Sequence, residues 1–154
     1  HKKATDLTGR IYMKKEEVFL FDTNIIIYAY ERKNSLRKKK SLEILEKCYK
    51  NEIVLAVSNQ NLAEFSVVSL KKLKLDANIV KDIIKDISNF ENFKKVNYKR
   101  KTILSAIDIL EKYKMSFWDS LIAATMIENG ILNIYTENSK DFKIPSLNVV
   151  NPLC

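Results

Sequence analysis

Two patterns of apolar residues alternate along the chain. Short, uninterrupted apolar runs predict strands, and longer segments with apolar residues three or four positions apart predict helices. The predicted strands are 18–21, 53–58, 93–98, 131–136 and 147–150, and the predicted helices are 23–32, 36–50, 59–74, 76–90, 100–114 and 117–129, the last ending at Gly130. Strands that are apolar on both faces and alternate with helices are typical of a parallel sheet covered on both sides. The pattern therefore predicts an α/β fold.

A charged residue lies at a conspicuous place in this pattern. In the stretch EEVFLFDTNIIIYAY, Asp22 separates the first predicted strand from the first predicted helix. Ligands of parallel α/β sheets bind beyond the carboxyl ends of the strands. The position of Asp22 therefore predicts a functional site at that edge.

Length and charge limit the possible organisation and partners. The chain has 154 residues and only two Gly and two Pro, with no linker, so one domain is expected. Residues 1–12 differ from the rest and are interpreted as an expression leader or a disordered extension, which leaves 13–154 as the domain. The formal net charge is +8 overall. It stays at +6 without the three basic residues and one acidic residue of 1–12, which suits a polyanion such as nucleic acid.

Some residue types are nearly missing, and this excludes several chemistries. The single histidine is His1, so Ser-His-Asp, Cys-His and histidine-rich transition-metal sites are excluded. Two cysteines, Cys48 and Cys154, make neither a disulfide framework nor a zinc site and favour a cytoplasmic protein. No apolar run approaches the roughly 20 residues that a transmembrane helix needs, so no membrane association is expected.

Four acidic residues stand out by their positions. Three have simple structural explanations: Asp22 as a helix N-cap, Asp119 in a capping box with Ser116, and Asp141 as a solvated loop acid. Glu64 lies in a helix whose other positions are mostly apolar, so it is expected to be buried without a basic partner. Unpaired buried carboxylates are costly unless a cation compensates. Together the four acids are expected to converge in one pocket.

Carboxylates without histidine or thiolate ligands favour hard cations such as Mg²⁺ or Mn²⁺. Such an ion lowers the pKa of a bound water and orients it for attack on phosphorus. This chemistry would replace the missing histidine base.

At these residues the sequence resembles the PIN-domain nucleases. The matching motifs, in the order and spacing of that family, are FLFDTNIIIYA, NLAEF, FWDSLIAA and IYTENSKDF, from Phe19 to Phe142. The resemblance implies a three-layer α/β/α fold around a central parallel sheet of four to five strands. It also implies that a metal-dependent nuclease site is built from catalytic, metal-ligating acids at Asp22, Glu64, Asp119 and Asp141.

The resemblance also assigns supporting residues. Asn24 and Thr136 match positions that orient the acids by hydrogen bonds. The fourth motif differs from many relatives, which place an acid where Asn138 stands. Either Asn138 or Asp141 completes that motif, and the number of metal ions stays open.

Within the family, the short single domain most resembles the VapC toxins of type II toxin–antitoxin pairs. That resemblance implies an endoribonuclease that hydrolyses RNA phosphodiester bonds, a homodimer and a small antitoxin partner. The alternatives are a PIN nuclease that processes RNA outside a toxin pair, and a non-catalytic RNA-binding or scaffold domain. A phosphatase with Asp22 as nucleophile ranks last, because that chemistry wants a second Asp where Asn24 stands.

Basic residues near the first acidic motif are candidates for RNA binding. They compete with the interpretation of a solvated helix start. The candidates are Arg37, Lys38, Lys39 and Lys40, within a run that also holds Arg32 and Lys33, and less specifically Lys71, Lys72, Lys94, Lys95 and the YKRK segment 98–101. Phe117 and Trp118 are expected to pack in the core or an interface rather than to stack on bases.

Overall fold

The computed structural model describes residues 17–154 throughout, and before them Leu7 and two short strands. These are β1 (Lys2–Thr5) and β2 (Ile11–Lys14), which pair antiparallel with each other. The predicted division between 1–12 and 13–154 falls partly on residues outside the described ones and stays a prediction.

The main sheet has five parallel strands, which confirms the predicted α/β fold with a central parallel sheet. Its order is β5-β4-β3-β6-β7. The strands are β3 (Val18–Phe21), β4 (Val54–Ser58), β5 (Phe93–Val96), β6 (Asn133–Tyr135) and β7 (Asn148–Val150).

Every predicted helix is present, with ends that differ by up to three residues. The helices are α1 (Thr23–Tyr30), α2 (Leu36–Tyr49), α3 (Asn59–Lys71), α4 (Ala77–Asn89), α5 (Arg100–Tyr113) and α6 (Phe117–Glu128), and a 3₁₀ turn spans Ser139–Asp141. Gly130 follows α6 at a φ of +68°, the left-handed conformation that ends many helices and that glycine adopts without steric cost.

Two hydrophobic clusters fill the layers on either side of the sheet. Side chains alternate between the faces of a strand, so the neighbours Leu20 and Phe21 enter different clusters. Phe21 packs with residues of α1–α4, and Leu20 packs with residues of α6. Both are fully buried, which is why the strand is apolar at consecutive positions.

The order of the strands creates a switch point at β3. The chain runs from β3 through β4 to β5 in one direction and then returns to place β6 on the other side of β3. Crevices at such points are where open α/β sheets bind ligands. Among the described residues, no helix is long and apolar enough to cross a membrane.

Candidate functional site at the carboxyl edge of the sheet

Asp22 lies at the switch point, one residue beyond β3. It is the N-cap of α1, and its Oδ1 accepts a hydrogen bond of 2.9 Å from the Thr23 N–H. Its own N–H donates to the carbonyl of Tyr135, and Thr136 Oγ1, just beyond β6, donates to Asp22 Oδ2 at 2.8 Å. The carboxylate is therefore fixed by two adjacent strands, and Thr136 contacts it as the resemblance implied.

A residue that the sequence analysis did not single out connects Asp22 to its surroundings. Asn61 is fully buried in the first turn of α3. Its Oδ1 accepts from the Ser58 N–H and hydroxyl, at 3.0 and 2.8 Å. Its Nδ2 donates to Thr23 Oγ1 at 3.0 Å and to Asp22 Oδ1 at 3.4 Å. The helix cap of α3 thus holds an amide donor beside the acid at the end of β3.

Glu64 is exposed, so the prediction that it is buried is wrong. Its Oε1 accepts a hydrogen bond of 2.8 Å from Gln60 Nε2, and its Oε2 accepts one of 3.3 Å from Thr23 Oγ1. Burial of Glu64 was predicted from its apolar neighbours on α3, but these neighbours do not all face the core, because Val67 is 53% exposed. Glu64 is nevertheless linked to the end of β3 through Thr23.

The other two acids come from different elements. Asp119 is partly buried in the first turn of α6, and its N–H donates to the Ser116 hydroxyl at 3.2 Å, which is the cap that the spacing predicted. Asp141 is exposed and ends the 3₁₀ turn, where its N–H bonds to the carbonyl of Asn138.

Burial and repulsion between neighbouring carboxylates raise the pKa values of two of these acids. The pKa of Asp22 is raised to about 6, chiefly by burial and in addition by the charges of Asp119 and Glu64, while the hydrogen bonds from Thr136 and Thr23 oppose the increase. Burial also raises the pKa of Asp119, and the charges of Asp141 and Glu64 add to that. Asp22, Asp119 and Glu64 are therefore near enough for their charges to interact, and Asp141 interacts with Asp119.

The family of the chain follows from a comparison of its sequence with protein-family models. The chain matches the family model described as PIN domain over residues 19–145. The chain belongs to the PIN-domain family.

Solved structures with the same fold come from bacterial toxin–antitoxin pairs. One structure is that of VapBC2 from Rickettsia felis bound to a DNA fragment from its own promoter. The matching chain is 26% identical, with a TM-score of 0.61 over 87% of this chain and 98% of that one. A toxin–antitoxin complex from Klebsiella pneumoniae gives 23% identity and a TM-score of 0.60 over 87% and 97% of the two chains. VapC20 of Mycobacterium tuberculosis, a sarcin-ricin loop cleaving toxin, is 15% identical, with a TM-score of 0.62 over 83% of this chain and 97% of that one. The comparison with curated proteins found no significant match.

The acids of this PIN domain suit a hard cation by type more than by spacing. Within the described residues, no three carboxylate, thiol or imidazole groups are close enough to hold one ion together. Mg²⁺ does not require such a cage, because it is commonly bound by one or two carboxylates with waters and substrate phosphates. Burial is the main cause of the raised pKa of Asp22, and the charges of Asp119 and Glu64 add to it, so a cation beside these acids would lower that pKa.

Two predicted supporting residues behave differently from Thr136. Asn138 contacts the network through its main chain, because its N–H donates to Thr136 Oγ1 at 3.1 Å. Asn24 lines a cavity beside the acids, and no hydrogen bond of its side chain is found among the described residues. Their roles at a metal site stay predictions.

The predicted RNA-binding run is largely engaged within this PIN domain. The Arg37 guanidinium pairs with the buried Glu31 at 2.8 Å, and Lys38 Nζ donates to the Glu31 carbonyl at 2.6 Å. Lys40 Nζ donates to the carbonyl of Leu153 at 3.2 Å. Lys39 is the exposed member for which the described part of the chain supplies no side-chain partner.

A cavity of about 650 Å³ opens beside the acidic edge. Of the four predicted acids, Glu64 is the one that lines it. Trp118 also lines it and is 60% exposed, so Trp118 does not pack in the core, and the alternative that it packs in an interface stays a prediction. Phe117, its neighbour, does pack against a small buried cluster between α5 and α6.

Proposed function

We propose that this PIN domain is a Mg²⁺- or Mn²⁺-dependent endoribonuclease that acts as the toxin of a VapBC-type pair. The observation that carries the proposal is the fixed, partly buried carboxylate of Asp22, whose pKa is raised to about 6 by burial and by its acidic neighbours. Membership of the PIN family and the likeness to VapC-type chains support nuclease activity. RNA as the substrate is further supported by the basic charge of the chain.

Each acid has a separate task in this proposal. Asp22 is the rigid ligand, because the ends of β3 and β6 and the amide of Asn61 fix its carboxylate. Glu64 and Asp119 would complete the negative site from α3 and α6, and Asp141 would add a solvent-side carboxylate from the 3₁₀ turn. A bound Mg²⁺ or Mn²⁺ would neutralise phosphate charge and activate a water molecule.

Replacing Asp22 with Asn tests this function. Asn caps a helix about as well as Asp, so α1 should keep its cap. Removing a carboxylate whose pKa is raised to about 6 should stabilise the metal-free protein at neutral pH, by at most about 3 kcal/mol. Cleavage of RNA in Mn²⁺ should collapse, and the thermal stabilisation that Mg²⁺ or Mn²⁺ gives the wild type should disappear.

The matched control is Asp76→Asn, because Asp76 also caps a helix, α4, but lies outside the proposed site. It should leave cleavage and the metal-induced stabilisation unchanged. Near-wild-type cleavage by Asp22→Asn would overturn the metal-site role of this residue. Loss of cleavage in both variants would point to folding rather than to the site.

The toxin assignment extends to partners. VapBC2 of Rickettsia felis and the Klebsiella pneumoniae complex are toxin–antitoxin assemblies, which supports a small antitoxin partner for this chain. Expression of the wild type alone should arrest growth, and co-expression of the adjacent small reading frame should relieve the arrest. Growth arrest that Asp22→Asn also causes would count against toxicity through the nuclease site.

The homodimer is a separate proposal about α5. Leu104 and Ile107 are 66% and 45% exposed there, one turn apart, so a second copy would remove apolar surface from water. Sedimentation should give a dimer for the wild type and a monomer for Leu104→Glu. A wild-type monomer at high concentration would contradict the dimer.

A further inference from the structure

We infer that the cavity beside the acidic edge holds an unpaired nucleobase of the substrate, stacked between Trp118 and Tyr98. The inference rests on the proposed ribonuclease function and names the form of RNA that the site accepts. It assigns Trp118 and Tyr98 as positioning residues, which set where the backbone lies relative to the acids.

The cavity shares a wall with the acidic edge. Thr23 and Glu64, which are hydrogen bonded to each other at 3.3 Å, belong to its lining, and Thr23 directly follows Asp22. A base in this cavity would therefore have its own backbone beside the acids. The volume of about 650 Å³ leaves room for a base and part of its sugar.

Two aromatic side chains line the cavity from different elements. Trp118 comes from the first turn of α6 and is 60% exposed, and Tyr98 comes from the segment after β5 and is 38% exposed. Large aromatic surfaces are costly to leave in water, and stacking on a base covers them without requiring one base identity. Ile27 and Val68 add apolar surface to the lining, which the apolar face of a base could contact.

Carboxamides supply the polar part of the lining. Asn24, Asn59, Gln60 and Asn97 all line the cavity. Each carboxamide carries both donors and an acceptor, the combination that pairs with the edges of bases. Gln60 is nine-tenths buried, its Nε2 is held by Glu64 and by the carbonyl of Trp118, and its buried Oε1 has no partner. A donor on the incoming base would satisfy that oxygen.

The charge around the cavity favours a nucleic acid over an apolar peptide. Lys99, Arg100 and Lys101 follow Tyr98 directly and are all exposed. In the part of the chain that the structure describes, their side chains make no salt bridge or hydrogen bond, and only the main chains of Lys99 and Lys101 bond to the hydroxyls of Thr102 and Ser105. A base in the aromatic cavity would bring adjacent phosphates within reach of these cations, whereas Glu64 marks the side on which cleavage would occur. Bases in a duplex are already stacked on one another, so the occupant must be unpaired.

The single tryptophan of the chain allows a direct test. Full-length protein is titrated with a short oligouridylate in EDTA, which prevents cleavage, and Trp118 emission is followed. Saturable quenching is expected, with much weaker quenching by a blunt RNA duplex of equal length. With a labelled oligouridylate, Trp118→Ala and Tyr98→Ala should each bind roughly tenfold more weakly, because stacking of one base contributes that much.

Matched variants separate stacking from general damage. Trp118→Phe should restore most of the binding, because phenylalanine keeps a stacking face. Ile79→Ala, which removes an exposed apolar side chain on α4 away from the cavity, should bind like the wild type. In Mn²⁺, Trp118→Ala should raise KM for single-stranded RNA more than it lowers kcat.

The outcomes separate this inference from the proposed function. Metal-dependent cleavage with silent Trp118 emission and wild-type kinetics in Trp118→Ala would overturn the base subsite and leave the nuclease intact. Quenching without any cleavage would keep the subsite and overturn the nuclease. Trp118 emission that responds to a co-purified antitoxin or to protein concentration, but not to oligouridylate, would make the cavity a protein interface and overturn the inference.

Discussion

Two basic segments of similar composition have different surroundings. The first basic run, residues 37–40, begins α2, and its Arg37, Lys38 and Lys40 side chains bind oxygen atoms of the protein. The second basic run, residues 99–101, begins α5, is exposed at every position and follows the aromatic residue Tyr98. The sequence ranked the first run higher because of its nearness to Asp22 along the chain, but three of its four side chains contact the protein, whereas all three side chains of the second run are exposed.

The difference shows that the number of charges does not identify a binding surface. A buried acid, Glu31, lies six residues before Arg37, and its carboxylate accepts two hydrogen bonds from the guanidinium. A buried carboxylate without a partner is costly, so this pair stabilises the link between α1 and α2. The second run has no comparable acid among its described contacts, which leaves its cations available to phosphates.

Replacing Lys99, Arg100 and Lys101 together with Ala should have the largest effect on RNA binding. Each phosphate contact to single-stranded RNA contributes about 0.7 to the log–log salt slope, so losing three should flatten it by about two. At 0.1 M salt this corresponds to binding weaker by roughly 100-fold. Filter binding or anisotropy with oligouridylate over a salt series measures both quantities.

Thermal melts should show the triple variant folded, because all three side chains are exposed. An unchanged salt slope in a folded variant would show that the second basic run does not contact RNA, and the contrast between the two runs would then be wrong.

Replacing Arg37 with Ala should lower stability rather than RNA binding. The substitution leaves Glu31, which is 5% exposed, without its main partner, and it removes the guanidinium that lies 4.1 Å from the centroid of the Tyr28 ring. Because the Arg37 side chain is half exposed, we expect a loss of about 1–2 kcal/mol, or roughly 3–6 °C in Tm.

Lys33→Ala is the matched control, because Lys33 is exposed in the same segment. It should leave Tm unchanged. If Arg37→Ala kept its Tm but lost much RNA affinity, the first run would be a binding surface after all.

The pH dependence of the same pair sharpens this contrast. Chiefly through the hydrogen bond from Arg37, the pKa of Glu31 lies below its usual value near 4.5. The folded protein therefore releases that proton more readily than the unfolded chain, so the stabilisation is complete above about pH 4.5 and is lost as the pH falls through the lower folded value. The difference in Tm between the wild type and Arg37→Ala should be largest at about pH 7 and should shrink as the pH falls below about 4.5. A constant difference would contradict the ionic origin.

Local patterns predicted the fold well because buried strands and helix ends require particular residue types at regular positions in the sequence. Consecutive apolar residues such as Leu20 and Phe21 show burial on both faces, and the Ser116 cap and Gly130 mark the ends of α6. Asp22 could be placed at the sheet edge for the same reason, because a short buried strand ends there.

Contacts between elements distant in sequence could not be predicted in the same way. Asn61 contacts Asp22 from another helix, and its place shortly after the predicted strand 53–58 was the signal available in the sequence. The burial of Glu64 and Trp118 was misjudged because helical periodicity identifies an apolar face but not whether a neighbour covers it. For the same reason the partners of the 37–40 run had no sequence signal beyond the nearby Glu31.

The smallest effect is expected from replacing Lys38, Lys39 and Lys40 together with Ala. Lys38 and Lys40 donate to carbonyl oxygens of Glu31 and Leu153, so of the three Lys39 is the one expected to meet a phosphate. The salt slope for oligouridylate should therefore change by about 0.7 or less, against about two for the 99–101 run.

Single substitutions resolve the origin of that change. Lys39→Ala alone should reproduce the triple variant, and Lys38→Ala should leave the slope unchanged. A change of about two on replacing 38–40 would mean that RNA displaces the internal hydrogen bonds of Lys38 and Lys40. RNA affinity would then outweigh two lysine–carbonyl contacts, and both basic runs would flank the acidic edge as parts of one binding surface.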